Sequence, residues 1–153
     1  MTEQAPLKLV QLPAFASRAQ LASIDVVEVH VVRDGLGLPA GYEVALQGGI
    51  AAIENGLTYQ YTVEISIYDE QQASVANAKF VVNVSYAIED APKPEDPQTQ
   101  HFGTVVGWSD VYPYVRQLAA DLTAKVGLPP ISLDVTASMS VGEPEQEEEP
   151  KGE

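Results

Sequence analysis

Residues 57–68 read LTYQYTVEISIY, and no other stretch constrains the chain so strongly. Leu57, Tyr59, Tyr61, Val63, Ile65 and Ile67 fall on one side of an extended backbone, Thr58, Gln60, Thr62, Glu64 and Ser66 on the other. Successive side chains of a strand point to opposite faces, so this is a strand with one buried and one wetted face. Residues 78–88 repeat the pattern, with Phe80, Val82, Val84, Tyr86 and Ile88 opposed to Lys79, Asn83 and Ser85. The polar residues 69–73 between them are of hairpin length, which predicts two antiparallel neighbours. Residues 23–33, SIDVVEVHVVR, and residues 41–53 are two earlier strands with less regular alternation. Asp34-Gly35 with Gly37, Pro39 and Gly41, and then Asn55-Gly56, supply the turn chemistry that separates them. Four consecutive strands without a helix between them predict an antiparallel meander, one face of which needs a cover.

The cover is expected downstream of the proline-rich linker at residues 91–97, APKPEDP. Residues 98–107 suit a short helix and residues 109–126 a long one. Ser109 is a natural N-cap, Asp110 suits the positive end of the helix dipole, and Pro113 is tolerated in a first turn, where no intrahelical donor is lost. Val111, Val115, Leu118, Leu122 and Val126 make one apolar stripe, and Gly127 followed by Pro129-Pro130 stops the helix. The predicted fold class is α+β: a four-stranded antiparallel sheet over residues 23–89 packed by C-terminal helices. A strand as apolar as residues 24–32 is an aggregation hazard at a sheet edge unless paired, so self-association through strand edges and helices is expected.

The 153 residues, 45% of them hydrophobic, suit one domain, and a chain of that size buries roughly two thirds of the surface it exposes when unfolded. A formal net charge of −14 repels phosphate backbones, so nucleic acid is not an expected partner. Without cysteine there is no disulfide, thiolate nucleophile or Cys-type zinc site. The opening MTEQAPLKLVQLPAF has no basic region followed by a long apolar run, so no signal peptide is expected. No apolar stretch approaches the roughly 20 residues of a membrane-spanning helix, and the expected location is cytoplasmic, without membrane insertion. His30 and His101 stand alone, and Asp25 with Glu28 or Asp90 with Glu95 read as solvated surface carboxylates. Gly35, Gly37 and Gly41 do not form a phosphate-binding GxGxxG loop, and Asn83-Val84-Ser85 is a glycosylation sequon in form only, inside a strand. No catalytic residue, metal or cofactor is expected.

Residues 107–130, GWSDVYPYVRQLAADLTAKVGLPP, remain to be explained: Trp108, Tyr112 and Tyr114 crowd around Pro113 with no chemistry beside them. Four strands, an acidic proline-rich crossing, a short helix, then Tyr112-Pro113-Tyr114-Val115-Arg116-Gln117 opening the long helix form an order that resembles the SecB family of export chaperones. In that family the long helix opens on aromatic-Pro-Tyr-x-Arg-Glu and gives way to a Pro-containing, Leu-rich extended segment, to which GLPPISL at residues 127–133 is similar. Residues 18–135 carry the resemblance and are expected to be the chaperone domain. Residues 1–17 then form a flexible N-terminal segment and residues 136–153 an acidic disordered tail. The SecB-like chaperones of toxin–antitoxin systems are the nearest resemblance, since Tyr-Pro-Tyr and Asp-Leu-Thr recur there, as Tyr112-Pro113-Tyr114 and Asp121-Leu122-Thr123 do here. Gln117 departs from the family's Glu, and TASMSVG stands where export chaperones have Val-Asn-Phe and a second helix, so a lid-like helix is not expected.

The resemblance implies an ATP-independent holdase rather than an enzyme, a homotetramer built as a dimer of dimers that keeps non-native polypeptides unfolded and soluble. The implied clients are an antitoxin, or preproteins for Sec export, or both. A hydrophobic client-binding groove is expected from Val27, Val29, Val31, Tyr42, Val44, Leu46, Phe102, Val105 and Trp108, with Tyr112, Pro113, Tyr114 and Arg116 as the family motif at the helix mouth. Aromatic rings offer large contact area at low entropic cost, which suits indiscriminate binding. The competing reading, weightier for any single ring, is that they pack on the sheet or across a subunit interface. Residues 142–153 hold six glutamates and are a candidate docking element for the export motor SecA. The alternative function is a structural or assembly subunit with one fixed protein partner.

Overall fold

The computed structural model describes residues 12–133. The acidic tail and the question of a lid helix lie outside the described residues, as do residues 1–11. A short 3₁₀ turn, Ala14–Arg18, leads into β1 (Gln20–Arg33), β2 (Gly41–Ile53), β3 (Gly56–Tyr68) and β4 (Ser74–Ala87). Then come α1 (Pro97–Phe102), a π-helical turn (Gly103–Gly107) and α2 (Trp108–Lys125).

All four strands are antiparallel, but their order is β1-β4-β3-β2, not that of the meander expected from sequence. β2, β3 and β4 are joined by hairpins, while β1 lies beside β4, giving a Greek-key arrangement with β1 and β2 at opposite edges. Residues 34–40 make this possible by crossing the ends of β4 and β3, held at both margins. The N–H groups of Asp34 and Gly35 donate to the Val75 carbonyl at 2.8 and 3.2 Å, and that of Ala40 donates to the Tyr68 carbonyl at 2.8 Å. The Asp34 carboxylate also accepts from Ser74 Oγ at 2.7 Å and from Asn77 Nδ2.

The expected pairing of β3 with β4 is present, with Leu57 opposite Tyr86, Tyr59 opposite Val84, Tyr61 opposite Val82 and Val63 opposite Phe80. These residues form the core on the helix-covered face. The other face is mainly polar, with Thr58 bonded to Ser85 at 2.8 Å and Gln60 to Asn83 at 3.1 Å, although Val81, opposite Thr62, is buried there. β1 carries register shifts at Leu21/Ser23 and Val26/Glu28. Each shift changes which residues face the core, which is why its alternation reads poorly.

The helical layer is one rod. Asp96 caps α1 by accepting the Gln98 N–H at 2.9 Å, with Pro97 in the first turn. The rod then runs through the π turn directly into α2, so Ser109 caps nothing: Gly107 precedes α2 in helical conformation and no side chain bonds there. For the same reason Pro113 lies inside a continuous helix rather than in a free first turn. Pro113 and Ser109 are both exposed, so solvent takes the carbonyl that the proline leaves without a partner. Asp110 accepts the Tyr86 hydroxyl at 2.6 Å and so ties the rod to β4.

The rod can lie this close because it carries glycine where the sheet's tyrosines arrive. A Cβ on Gly103 would stand 2.4 Å from Tyr59 Cε1, and one on Gly107 2.3 Å from the Tyr61 hydroxyl. α2 ends as expected at Gly127, whose φ is +77°. The Leu128 N–H reaches the Thr123 carbonyl and the Gly127 N–H the Ala124 carbonyl, both at 3.0 Å, the paired bonds of a Schellman cap. The expected N-terminal boundary moves: Phe15 is buried 5.1 Å from Phe102, ring to ring, so residues 13–17 belong to the domain and are not a free segment.

Candidate functional site: a half-open apolar groove beside β2

The helix-facing row of β2 is fixed by its pairing with β3. Tyr42, Val44, Leu46, Gly48, Ile50 and Ala52 stand opposite Ile67, Ile65, Val63, Tyr61, Tyr59 and Leu57 and share their face. The β3 row is sealed under the rod, whereas Val44, Leu46 and Ile50 are only half-buried and Tyr42 is exposed. The result is a strip of apolar side chains along a sheet edge that no other described strand pairs.

The opposite wall is aromatic. The Trp108 ring lies 5.6 Å from that of Tyr61 and 5.8 Å from that of Tyr112. Tyr61 itself is 2% exposed, and its hydroxyl donates to the Gly103 carbonyl at 2.6 Å. Tyr59 donates to the Thr99 carbonyl at 2.7 Å. Burial pushes the Tyr59, Tyr61 and Tyr86 phenols well above their ordinary pKa, and the hydrogen bond to Asp110 adds to this at Tyr86. They remain neutral donors that nail the sheet to the rod.

The segment after Gly127 closes one end. It returns along α2, where Ile131 donates its N–H to Thr123 Oγ1 at 3.1 Å and Tyr112 its hydroxyl to the Leu133 carbonyl at 3.0 Å. Tyr42 of β2 donates to the Ser132 carbonyl at 3.2 Å, so the segment bridges α2 and the free edge. Thr123 also donates to the Ala119 carbonyl at 2.9 Å, while Asp121, exposed, accepts from Gln117 at 2.9 Å. Thr123 of the Asp-Leu-Thr sequence thus holds the extended segment in place, and Tyr-Pro-Tyr supplies Tyr112 as a second anchor.

The residues expected to line one groove divide among three places. Tyr42, Val44 and Leu46 share one row of β2, and Trp108 packs on Tyr61 of the neighbouring strand, with Val105 half-buried on the π turn. Val29 and Val31 share the helix-covered face, opposite Phe80 and Ala78, but on β1 at the far edge. Three strand spacings separate the edges, roughly 14 Å. Val27 sits at the register shift between Val26 and Glu28 and is exposed. Phe102 corrects the expectation most clearly: at 1% exposure it is core, tilted against Phe15 and Tyr59 and edge-on to Tyr86. At the helix mouth Tyr112 is half-buried, while Pro113, Tyr114 and Arg116 are exposed. Sequence reading missed Ile50, Tyr61 and Ile131. Ile50 keeps the alternation of Val44 and Leu46, and that signal was available.

Among the described residues no three or more His, Asp or Glu side chains gather into a possible metal site, and no helix is long and apolar enough to cross a membrane. No protein-family model matches the chain, and no curated protein does. Among solved structures the chain is similar to the Mycobacterium tuberculosis Rv1957 SecB-like chaperone in complex with a ChAD peptide from the Rv1956 HigA1 antitoxin. That likeness has a TM-score of 0.71 at 20% identity and covers 78% of this chain and 91% of that one. A Streptococcus agalactiae protein of unknown function aligns at TM-score 0.40 and 10% identity over 76% of this chain and 96% of that one. The fold, a four-stranded antiparallel sheet under a C-terminal helical layer, is SecB-like.

Proposed function

We propose that the chain is an ATP-independent holdase that binds extended, non-native polypeptide along the groove between β2 and Trp108 and keeps it soluble. The observation that carries this reading is the unequal cover of the sheet: the rod seals β3 and β4 and leaves the same face of β2 half open beside a strand edge that no other described strand pairs. An extended chain laid there gains backbone hydrogen bonds from the edge and apolar contact for alternate side chains. Main-chain pairing and apolar burial tolerate many sequences, as a holdase requires.

The M. tuberculosis chaperone of the same fold was solved with an antitoxin peptide, which favours an antitoxin as the client here. Preproteins for Sec export are the second client class that such a surface suits, with SecA as the acceptor for an acidic carrier. The β1 edge, where Val26, Val27 and Val29 are exposed, has the character of a self-association surface. The assembly proposed through it is a homotetramer, and the proposed location is the cytoplasm.

The test is suppression of aggregation of several unrelated denatured proteins without nucleotide, by protein whose mass is checked by light scattering. Protection of several, lost in Trp108→Ala and Leu46→Ser variants that keep their assembly, is expected. Protection of none would leave a structural subunit with one fixed partner as the better reading, and a monomer would remove the tetramer. Co-expression with a neighbouring antitoxin, compared with rescue of preprotein export in a chaperone-deficient cell, separates the two client classes.

A further inference from the structure

We propose that Asn55 is a self-modifying site: when the turn between β2 and β3 opens, the Gly56 nitrogen attacks the Asn55 side chain and converts it to aspartate or isoaspartate.

Both residues of the pair are dictated by the fold. Ile53 and Gly56 face each other at the ends of β2 and β3, and the turn they close holds Asn55 at a φ of +56°. Apart from glycine, asparagine and aspartate take this left-handed conformation at least cost. At position 56 a Cβ would stand 1.9 Å from the Tyr86 carbonyl oxygen, so only glycine fits. The turn therefore sets an amide beside the one residue type whose nitrogen is shielded by no side chain. Asn55 is exposed and lines an open cleft with Asp90 and Lys93, which gives water and hydroxide access to it. The other two asparagines lack these conditions. Asn77 and Asn83 lie within β4, are followed by Ala78 and Val84, and have side chains bonded to Asp34 and Gln60.

The reaction needs no co-reactant but water. The Gly56 nitrogen gives up its proton and attacks Asn55 Cγ; a C–N bond forms there, the bond from Cγ to the amide nitrogen breaks, and ammonia departs with the proton. The five-membered succinimide then adds water at one of its two carbonyls. Opening at Cγ gives aspartate. Opening at the main-chain carbonyl gives isoaspartate, in which the backbone runs through the side-chain methylene.

The folded turn opposes the first step. Gly56 is buried and paired with Ala87 as well as Ile53, and the Asn55 carbonyl accepts the Ile88 N–H at 2.9 Å. The nitrogen cannot swing onto Cγ until these contacts part, so the modification records how often this end of the sheet opens. Aspartate keeps the course of the chain. Isoaspartate lengthens it by one methylene and turns the carbonyl that holds Ile88 into a pendant carboxylate.

The test is incubation of the full chain in mildly alkaline buffer, folded and in urea, followed by peptide mapping with mass spectrometry. Conversion at Asn55 ahead of Asn77 and Asn83 is expected, about tenfold slower in the folded than in the unfolded chain. Asn55→Gly keeps the left-handed conformation, so that variant should fold and show no conversion at position 55. The isoaspartyl fraction, which a protease specific for aspartate leaves uncut at that position, should unfold at a lower temperature than the aspartyl fraction. Equal rates in the folded and unfolded chain would overturn the control by turn opening. Conversion of Asn77 or Asn83 as fast as that of Asn55, or none at Asn55 in the unfolded chain, would overturn the site itself.

Discussion

The phenol of Tyr61 donates to the carbonyl of Gly103 at 2.6 Å while its ring supports Trp108 at 5.6 Å, so one side chain both fastens the sheet to the π turn and floors the groove. Tyr61→Phe separates the two roles, because it keeps the ring and removes the bond. A loss of about 1–2 kcal/mol is expected, since a buried carbonyl gives up one of its partners. In thermal unfolding this reads as a fall of several degrees with client affinity near the wild-type value.

Gly107→Ala should be worse than its chemistry suggests. The added methyl would stand 2.3 Å from the Tyr61 hydroxyl, beneath a rod held by three tyrosines, so the rod must lift. Overpacking of this kind costs roughly 1–3 kcal/mol. Gly48→Ala, in open space, should be neutral or stabilising, and chemical denaturation of both variants checks the contrast.

Thr123→Val preserves shape and removes a hydroxyl that serves the Ala119 carbonyl and the Ile131 N–H together. The helix still bonds internally, but residues 128–133 lose an anchor. About 1 kcal/mol of stability should go, and limited proteolysis should cut sooner near Ile131. Unchanged cleavage would mean that Tyr112 and Tyr42 suffice to hold the segment.

Arg33 fastens the C-terminal end of α2, with its Nη1 on the Val126 carbonyl at 2.7 Å and its Nε on the Gly35 carbonyl at 3.0 Å. A cation at a helix C-terminus is favoured by the dipole as well as by the bond. Arg33→Leu should lower the urea midpoint by the equivalent of about 1–2 kcal/mol without changing the slope.

Burial holds the Tyr59, Tyr61 and Tyr86 phenols protonated in the folded state beyond the pH at which the unfolded chain releases them, near 10. A pKa raised by folding contributes stability that is fully present below the unfolded value and lost as pH climbs past it. These phenols therefore leave stability level below pH 10 and lower it above. Tyr86→Phe should flatten the decline, measured by urea unfolding across the alkaline range.

β3 and β4 were legible in the sequence because one face of each is sealed and the other wet, so the alternation is uninterrupted from Leu57 to Ile67. β1 was not, since shifts at Leu21/Ser23 and Val26/Glu28 change its phase twice, and a valine count cannot say that Val27 is out of step with Val29. Strand order was hidden for another reason: residues 34–40 look like a turn, and their crossing becomes evident only through bonds to Val75 and Tyr68. The groove was half legible. Tyr42, Val44 and Leu46 read as one row of a strand and are one, but β1 was placed beside them when the topology puts it at the far edge, and Phe102, which reads as any exposed aromatic, is core.

Phe102 and Val111 are nine residues apart, which on a regular α-helix is roughly two and a half turns and opposite sides of the cylinder. Both are buried against the same sheet. The π turn between them, Gly103–Gly107, reconciles the two by taking an extra residue into one wide turn. The rod thus holds a residue of slack, and length added beside the groove wall is absorbed before it reaches α2. The spacing of the aromatic mouth can therefore change by a residue while the stripe from Val111 to Leu122 keeps its phase. The wall beside β2 is free to drift, and the core beneath it is not.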